Sequence, residues 1–81
     1  MVISPNPSVA QTRVAFPDSV HGWMDVEVFD MAGKSASRRT IVVKEGEAGF
    51  LLDVQDLAPS VYLVRVTSPD FSASERLFIQ R

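Results

Sequence analysis

Short runs in which apolar and polar residues alternate recur along the chain, and clusters of Pro, Gly, Asp, Asn and Ser separate them. A period of two marks a half-buried strand, because successive side chains of an extended chain point to opposite faces. The pattern predicts strands at 2–4, 12–16, 24–29, 35–44, 49–54, 61–67 and 75–80. Nowhere does an apolar i, i+3, i+4, i+7 stripe persist for a dozen residues, so no helix longer than one turn is expected.

Alternation also assigns faces. Thr12, Val14 and Phe16 point inward, as do Val26 and Val28, Ile41 and Val43, Leu52 and Val54, Tyr62, Val64 and Val66, and Leu77 and Ile79. Asp25, Glu27, Asp53, Arg65, Arg76 and Gln80 then face water, as a sheet with one solvated face requires.

The turns sharpen this picture. In Asp30-Met31-Ala32-Gly33-Lys34 the aspartate can bond the turn's backbone, and Gly33 stands where a positive φ closes a hairpin. Gly33 is therefore a backbone requirement and not a binding residue. Glu45-Gly46-Glu47 and Ser68-Pro69-Asp70 read as two further hairpin connections, with the last five strands as consecutive or Greek-key neighbours. Leu57-Ala58-Pro59-Ser60-Val61-Tyr62 resembles a tyrosine corner: a leucine plugs the core, a tight turn follows, and a tyrosine bonds back to upstream backbone. The fold class these features imply is all-β, a Greek-key sandwich of about seven antiparallel strands.

With 81 residues there is material for one core and no second. The hydrophobic share of 46% is that of a folding chain. There is no cysteine to staple so small a domain, and the redox compartment stays open. Eight basic and ten acidic residues leave a net charge of −2, the wrong sign for a phosphate-backbone binder, so no nucleic-acid partner is expected. No apolar run approaches the ~20 residues that cross a bilayer, and Met1-Val2-Ile3-Ser4-Pro5 lacks the regions of a signal peptide. The expectation is a piece cut from the end of a longer precursor.

Chemistry is sparse. His21 is the sole histidine and lies in the turn-like Ser19-Val20-His21-Gly22, where solvent exposure is the expectation and catalysis is not. There is no zinc-ligand cluster, no glycine-rich phosphate loop and no nucleophile elbow, so no catalytic residue, metal, cofactor or small-molecule substrate is expected. Asp25, Glu27, Asp53 and Asp56 read as solvated strand faces and turn caps rather than a calcium loop. Arg38 and Arg39 read as a charged edge that discourages sheet-to-sheet pairing. Trp23, the only tryptophan, is expected to cap the end of the core, with sugar stacking as the alternative.

Four segments together resemble the C-terminal sorting domain of the type IX (Por) secretion system of the Bacteroidetes and their relatives. They are Pro5-Asn6-Pro7, Val28-Phe29-Asp30-Met31-Ala32-Gly33-Lys34, residues 52–66 around the tyrosine corner, and Leu77-Phe78-Ile79-Gln80-Arg81. The chain departs from the family at Ser60, where glycine is usual, and at Arg81, where lysine is usual. The resemblance implies an immunoglobulin-like sandwich, with residues 1–81 as one sorting domain excised from a longer secreted precursor. It implies a fused upstream cargo, passage through the periplasm and the outer-membrane translocon, then removal by a cell-surface sortase that attaches the cargo to lipopolysaccharide. Arg76, Phe78, Gln80 and Arg81 are the residues expected to meet the translocon. Pro5, Asn6, Pro7, Asp30, Gly33, Lys34, Leu57 and Tyr62 form the structural motif. Two rivals remain at this point: a fibronectin-III-like spacer or adhesion module, and a carbohydrate-binding module using Trp23 and Phe71.

Overall fold

A computed structural model describes residues 1–4, 10–16, 21–69 and 71–80. Seven strands follow one another: β1 (Val2–Ser4), β2 (Gln11–Ala15), β3 (Gly22–Phe29), β4 (Ser35–Val43), β5 (Gly49–Asp53), β6 (Ser60–Ser68) and β7 (Phe71–Ile79). They form two antiparallel sheets, one ordered β1-β2-β5 and the other β4-β3-β6-β7. The all-β expectation holds, and the strands stand close to where alternation puts them. The largest shift is at β7, which begins at Phe71 because the β6–β7 hairpin pairs Ser68 directly with Phe71.

The inward set unites the sheets. Val14, Leu52 and Val54 on one side meet Val26, Val28, Val64, Val66 and Leu77 on the other in one buried cluster. Each such side chain contributes roughly 1.5–3 kcal/mol by leaving water. Ile3 and Met24 belong to this core as well, Met24 with no exposed surface. Phe16 joins the sheets at one end, its ring 5.6 Å from those of Phe50 and Phe71.

Two expectations are corrected. Trp23 does not cap the core: it is 53% exposed, opposite the exposed Val42 on β4. The cause is strand parity, since the buried Met24, Val26 and Val28 turn their odd-numbered neighbours outward. The 45–47 segment does not close a hairpin either. It carries the chain from β4 in one sheet to β5 in the other, where Phe16 N–H donates to the Ala48 carbonyl at 2.7 Å. Its local chemistry is still that of a tight turn: Gly46 has φ +91°, Glu47 N–H donates to the Lys44 carbonyl, and Glu47 Oε1 accepts from Lys44 N–H.

A four-stranded sheet facing a three-stranded one overhangs it. Arg39 pairs with the buried Val26, and Glu75 with the buried Val64, so each lies on the inner side of an edge strand while remaining exposed. Ile41, on the same edge as Arg39, is only half-buried. A charge on the inner side of an edge strand resists docking by another sheet, because pairing would bury it.

Candidate functional site

The outer face of the four-stranded sheet carries the features that packing does not explain. Register gives its rows. Trp23, Asp25, Glu27 and Phe29 run down β3, Leu63, Arg65 and Thr67 lie beside them on β6, and Arg76 and Phe78 follow on β7. The middle of this face is polar. Asp25 accepts a hydrogen bond from Thr40 Oγ1 at 2.9 Å and lies 3.7 Å from the Arg38 guanidinium. Glu27 accepts from Arg65 at 3.3 Å.

At one end the face turns apolar and sinks into a depression of about 650 Å³. The β3–β4 hairpin supplies Phe29, Asp30, Met31 and Gly33. From β6 come Val61, Tyr62, Leu63 and Arg65. Arg76 and Phe78 complete it from β7, the edge strand of the sheet.

Each wall is held by its own local chemistry. Asp30 Oδ1 accepts from the N–H groups of Ala32 and Lys34, both at 2.9 Å, and the Asp30 carbonyl accepts from Gly33 N–H. Gly33 takes φ +82°, a region that side chains with a Cβ resist. Behind the floor, the buried Tyr62 donates its hydroxyl to the Ala58 carbonyl at 2.6 Å, and Leu57 packs half-buried against the core. Ser60, where a glycine was expected from the family pattern, opens β6 without strain, since no described non-glycine residue has a positive φ. The Arg65 guanidinium lies 4.8 Å over the Phe29 ring while it reaches Glu27.

Of the four residues expected to meet a translocon, Arg76 and Phe78 line the depression. Gln80 is exposed just beyond β7, and Arg81 lies outside the described residues. Pro5, Asn6 and Pro7 also lie outside them. The sequence reading missed Phe29, Met31, Leu63 and Arg65 as members of one surface. A signal was present in the sequence: Phe29, Leu63 and Phe78 are large and apolar at strand positions whose parity faces water. Among the described residues no group of three or more His, Asp or Glu side chains is placed to hold a metal ion. His21 is exposed.

The two ends of the sandwich differ in what they offer. Val2 pairs with Ala15, which pairs with Gly49, and the adjacent Phe16 touches Phe71 at the start of β7. The first residues therefore lie at the end of the sandwich opposite Phe78. Seven residues of β7 separate those ends, a run of roughly 23 Å at strand rise.

The comparisons with known proteins bear on the whole chain. The family model described as a secretion system C-terminal sorting domain matches residues 2–80. No curated protein matches the sequence significantly.

Proposed function

The chain belongs to the family of type IX secretion C-terminal sorting domains, and from that premise we propose that the outer-face depression is the surface by which the export machinery reads it. A sorting domain is a signal and not a catalyst, joined to an upstream cargo that it directs to the cell surface or beyond. In the proposed sequence of events the fused precursor waits in the periplasm, and the translocon engages the end of β7 through Arg76, Phe78, Gln80 and Arg81. A cell-surface sortase then cuts ahead of the folded domain and transfers the cargo to lipopolysaccharide. Residues 1–81 are on this reading one unit cut from a longer precursor.

One observation supports the reading above the others. Three of the four segments that carry the family resemblance, far apart in sequence, converge on this depression through Phe29, Leu63 and Phe78. Joining the cargo at Met1 leaves that surface at the far end of the domain.

The test is a fusion of the domain behind a reporter with an inner-membrane signal peptide, in a bacterium that has the type IX machinery. Combined Arg76→Ser, Gln80→Ser and Arg81→Ser, with Phe78→Ser as a second variant, remove the groups proposed to meet the translocon; at the exposed Arg76 and Gln80 the stability cost should stay within ~0.5 kcal/mol each. Variants that melt like the parent yet leave the reporter in the periplasm support the reading. A parent fusion that never leaves the periplasm counts against it.

The exposure of Trp23 favours one second reading, a sugar subsite at the other end of the face. As the chain's only tryptophan, its fluorescence reports on that site directly. A saccharide panel that leaves the emission unchanged removes this reading.

A further inference from the structure

The two edges of the four-stranded sheet carry inner-side charges of opposite sign, Glu75 on β7 and Arg39 on β4. With only Val43 buried among its nine residues, β4 is the most open strand of that sheet. It pairs with β3 on one side and with no described strand on the other, so a row of its N–H and carbonyl groups points outward. Among the described residues no backbone group of a turn or loop bonds to residues 35–43. Such an edge is a template for another extended chain.

Charge decides which chain it admits. Lys34, Arg38, Arg39 and Lys44 are four of the eight basic residues of a chain whose net charge is −2, and no acidic residue falls between Lys34 and Lys44. In the flanking turns, Asp30 Oδ1 accepts the N–H groups of Ala32 and Lys34, Glu47 Oε1 accepts from Lys44 N–H, and Glu45 is exposed beyond the strand. Arg38 lies 3.7 Å from Asp25 with 65% of its side chain exposed, a surface pair that leaves donors of its five-donor fork open to a second carboxylate. Arg39 forms no ion pair among the described residues. A neutral or basic strand docked here would cover Arg39 without pairing it, whereas an acidic strand supplies its partner. The same charge rejects one class of strand and selects the other.

Register sets the motif. Arg39 pairs with the buried Val26 and Arg38 with Glu27, so the two guanidiniums leave β4 on opposite faces of the sheet. Consecutive residues of an added strand also point to opposite faces, each about 5 Å across from its neighbour on β4. Two adjacent carboxylates therefore meet the two guanidiniums, one on each face. Beyond Thr40, the half-buried Ile41 and the 71% exposed Val42 again lie on opposite faces. Two adjacent apolar side chains cover them. In the antiparallel sense of every pairing in this sheet, the added segment reads apolar, apolar, any residue, acidic, acidic.

We propose that the free edge of β4 binds an extended acidic segment of another protein by strand addition, two adjacent carboxylates meeting Arg39 and Arg38 and two apolar residues covering Val42 and Ile41. Backbone pairing supplies the affinity and the charges supply the selectivity. β3 and β6 separate this edge from β7, so its occupancy is independent of how the end of β7 is read.

The test is a nuclear magnetic resonance titration of the isotope-labelled 81-residue chain with three acetylated, amidated peptides. They are Thr-Val-Ile-Thr-Glu-Glu-Thr, its Lys-Lys-for-Glu-Glu counterpart, and the first sequence N-methylated at the adjacent Ile and Thr, one of whose N–H groups must face β4. The first should shift the amide resonances of residues 37–43 in a saturable way at about millimolar concentration, and the other two should bind about tenfold more weakly. Arg39→Glu, at an exposed position, should melt like the parent and lose the preference for the glutamate peptide. Equal binding of the glutamate and lysine peptides by the parent chain, shifts centred on β7, or no saturable shift would overturn the proposal. An N-methylated peptide that binds as well as the first would overturn strand addition. So would inorganic polyphosphate binding the same residues as tightly, which would make the edge a site for bare anions.

Discussion

The hydroxyl of Tyr62 and the carbonyl of Ala58, four residues upstream, are joined by a hydrogen bond of 2.6 Å that ties the start of β6 to the loop leading into it. The ring is buried while Ala58 is exposed, so removing the hydroxyl leaves a carbonyl that water can reach. Tyr62→Phe should therefore cost ~0.5–1.5 kcal/mol, the net value of one such bond. In a domain of this size that lowers the melting temperature by about 4–8 °C per kcal/mol. An unchanged melt would show that the bond holds nothing in place.

Gly33 and Gly49 should fail for different reasons. Around Gly33 there is open space for a Cβ, and its demand is purely conformational, φ +82°. Gly33→Asn should cost less than Gly33→Val, because asparagine tolerates the left-handed region and a β-branched residue does not. Thermal melts of the two variants decide it; coincident curves would remove the positive φ from the account of the hairpin.

At Gly49 the backbone is unstrained and the space is missing. A Cβ there would run into the carbonyl oxygen of Val14 and lie 2.9 Å from the Cα of Ala15 on the facing strand. Gly49→Ala should cost ~1–3 kcal/mol, the range of an overpacked site, by forcing β5 away from β2. Urea unfolding should show a lower midpoint than for Gly33→Asn. A Gly49→Ala protein as stable as the parent would contradict the close approach of these strands.

The edge charges make a prediction about association. Glu75→Val removes the inner-face carboxylate of β7 and should produce concentration-dependent oligomers in size-exclusion chromatography. Ser74→Val adds the same side chain to the outer side of the same strand and should do so less. Monomeric behaviour of both at high concentration would mean that the edge is guarded by something other than Glu75.

Much of the fold was legible because strand parity is a local property. Alternation alone places Val14, Val26, Val64 and Leu77 inside, and the same rule carried one residue further puts Met24 in the core and Trp23 outside it. The expectation for Trp23 failed where the bulk of an indole was weighed above its parity. The 45–47 turn misled for another reason. A tight turn with a glycine of positive φ looks the same whether the next strand pairs with the last or crosses to the other sheet, and only tertiary contacts decide which. The depression was half visible. Arg76 and Phe78 are neighbours on one strand, but Phe29 meets Leu63 only through the pairing of β3 with β6, across thirty-odd residues of chain. What the chain did contain was a violation of alternation at Phe29, Leu63 and Phe78, apolar residues where water should be.

The separation of the two ends of the sandwich has a consequence for how such a domain can be inherited. Whatever joins the first residue meets one end, and the hollow of Phe29, Leu63 and Phe78 lies some seven strand residues away at the other. Exchange of whatever is joined to the Val2 end leaves this hollow untouched, and substitutions in the hollow do not alter what is joined there. If that hollow is the surface read during export, cargo and signal can thus diverge independently of each other.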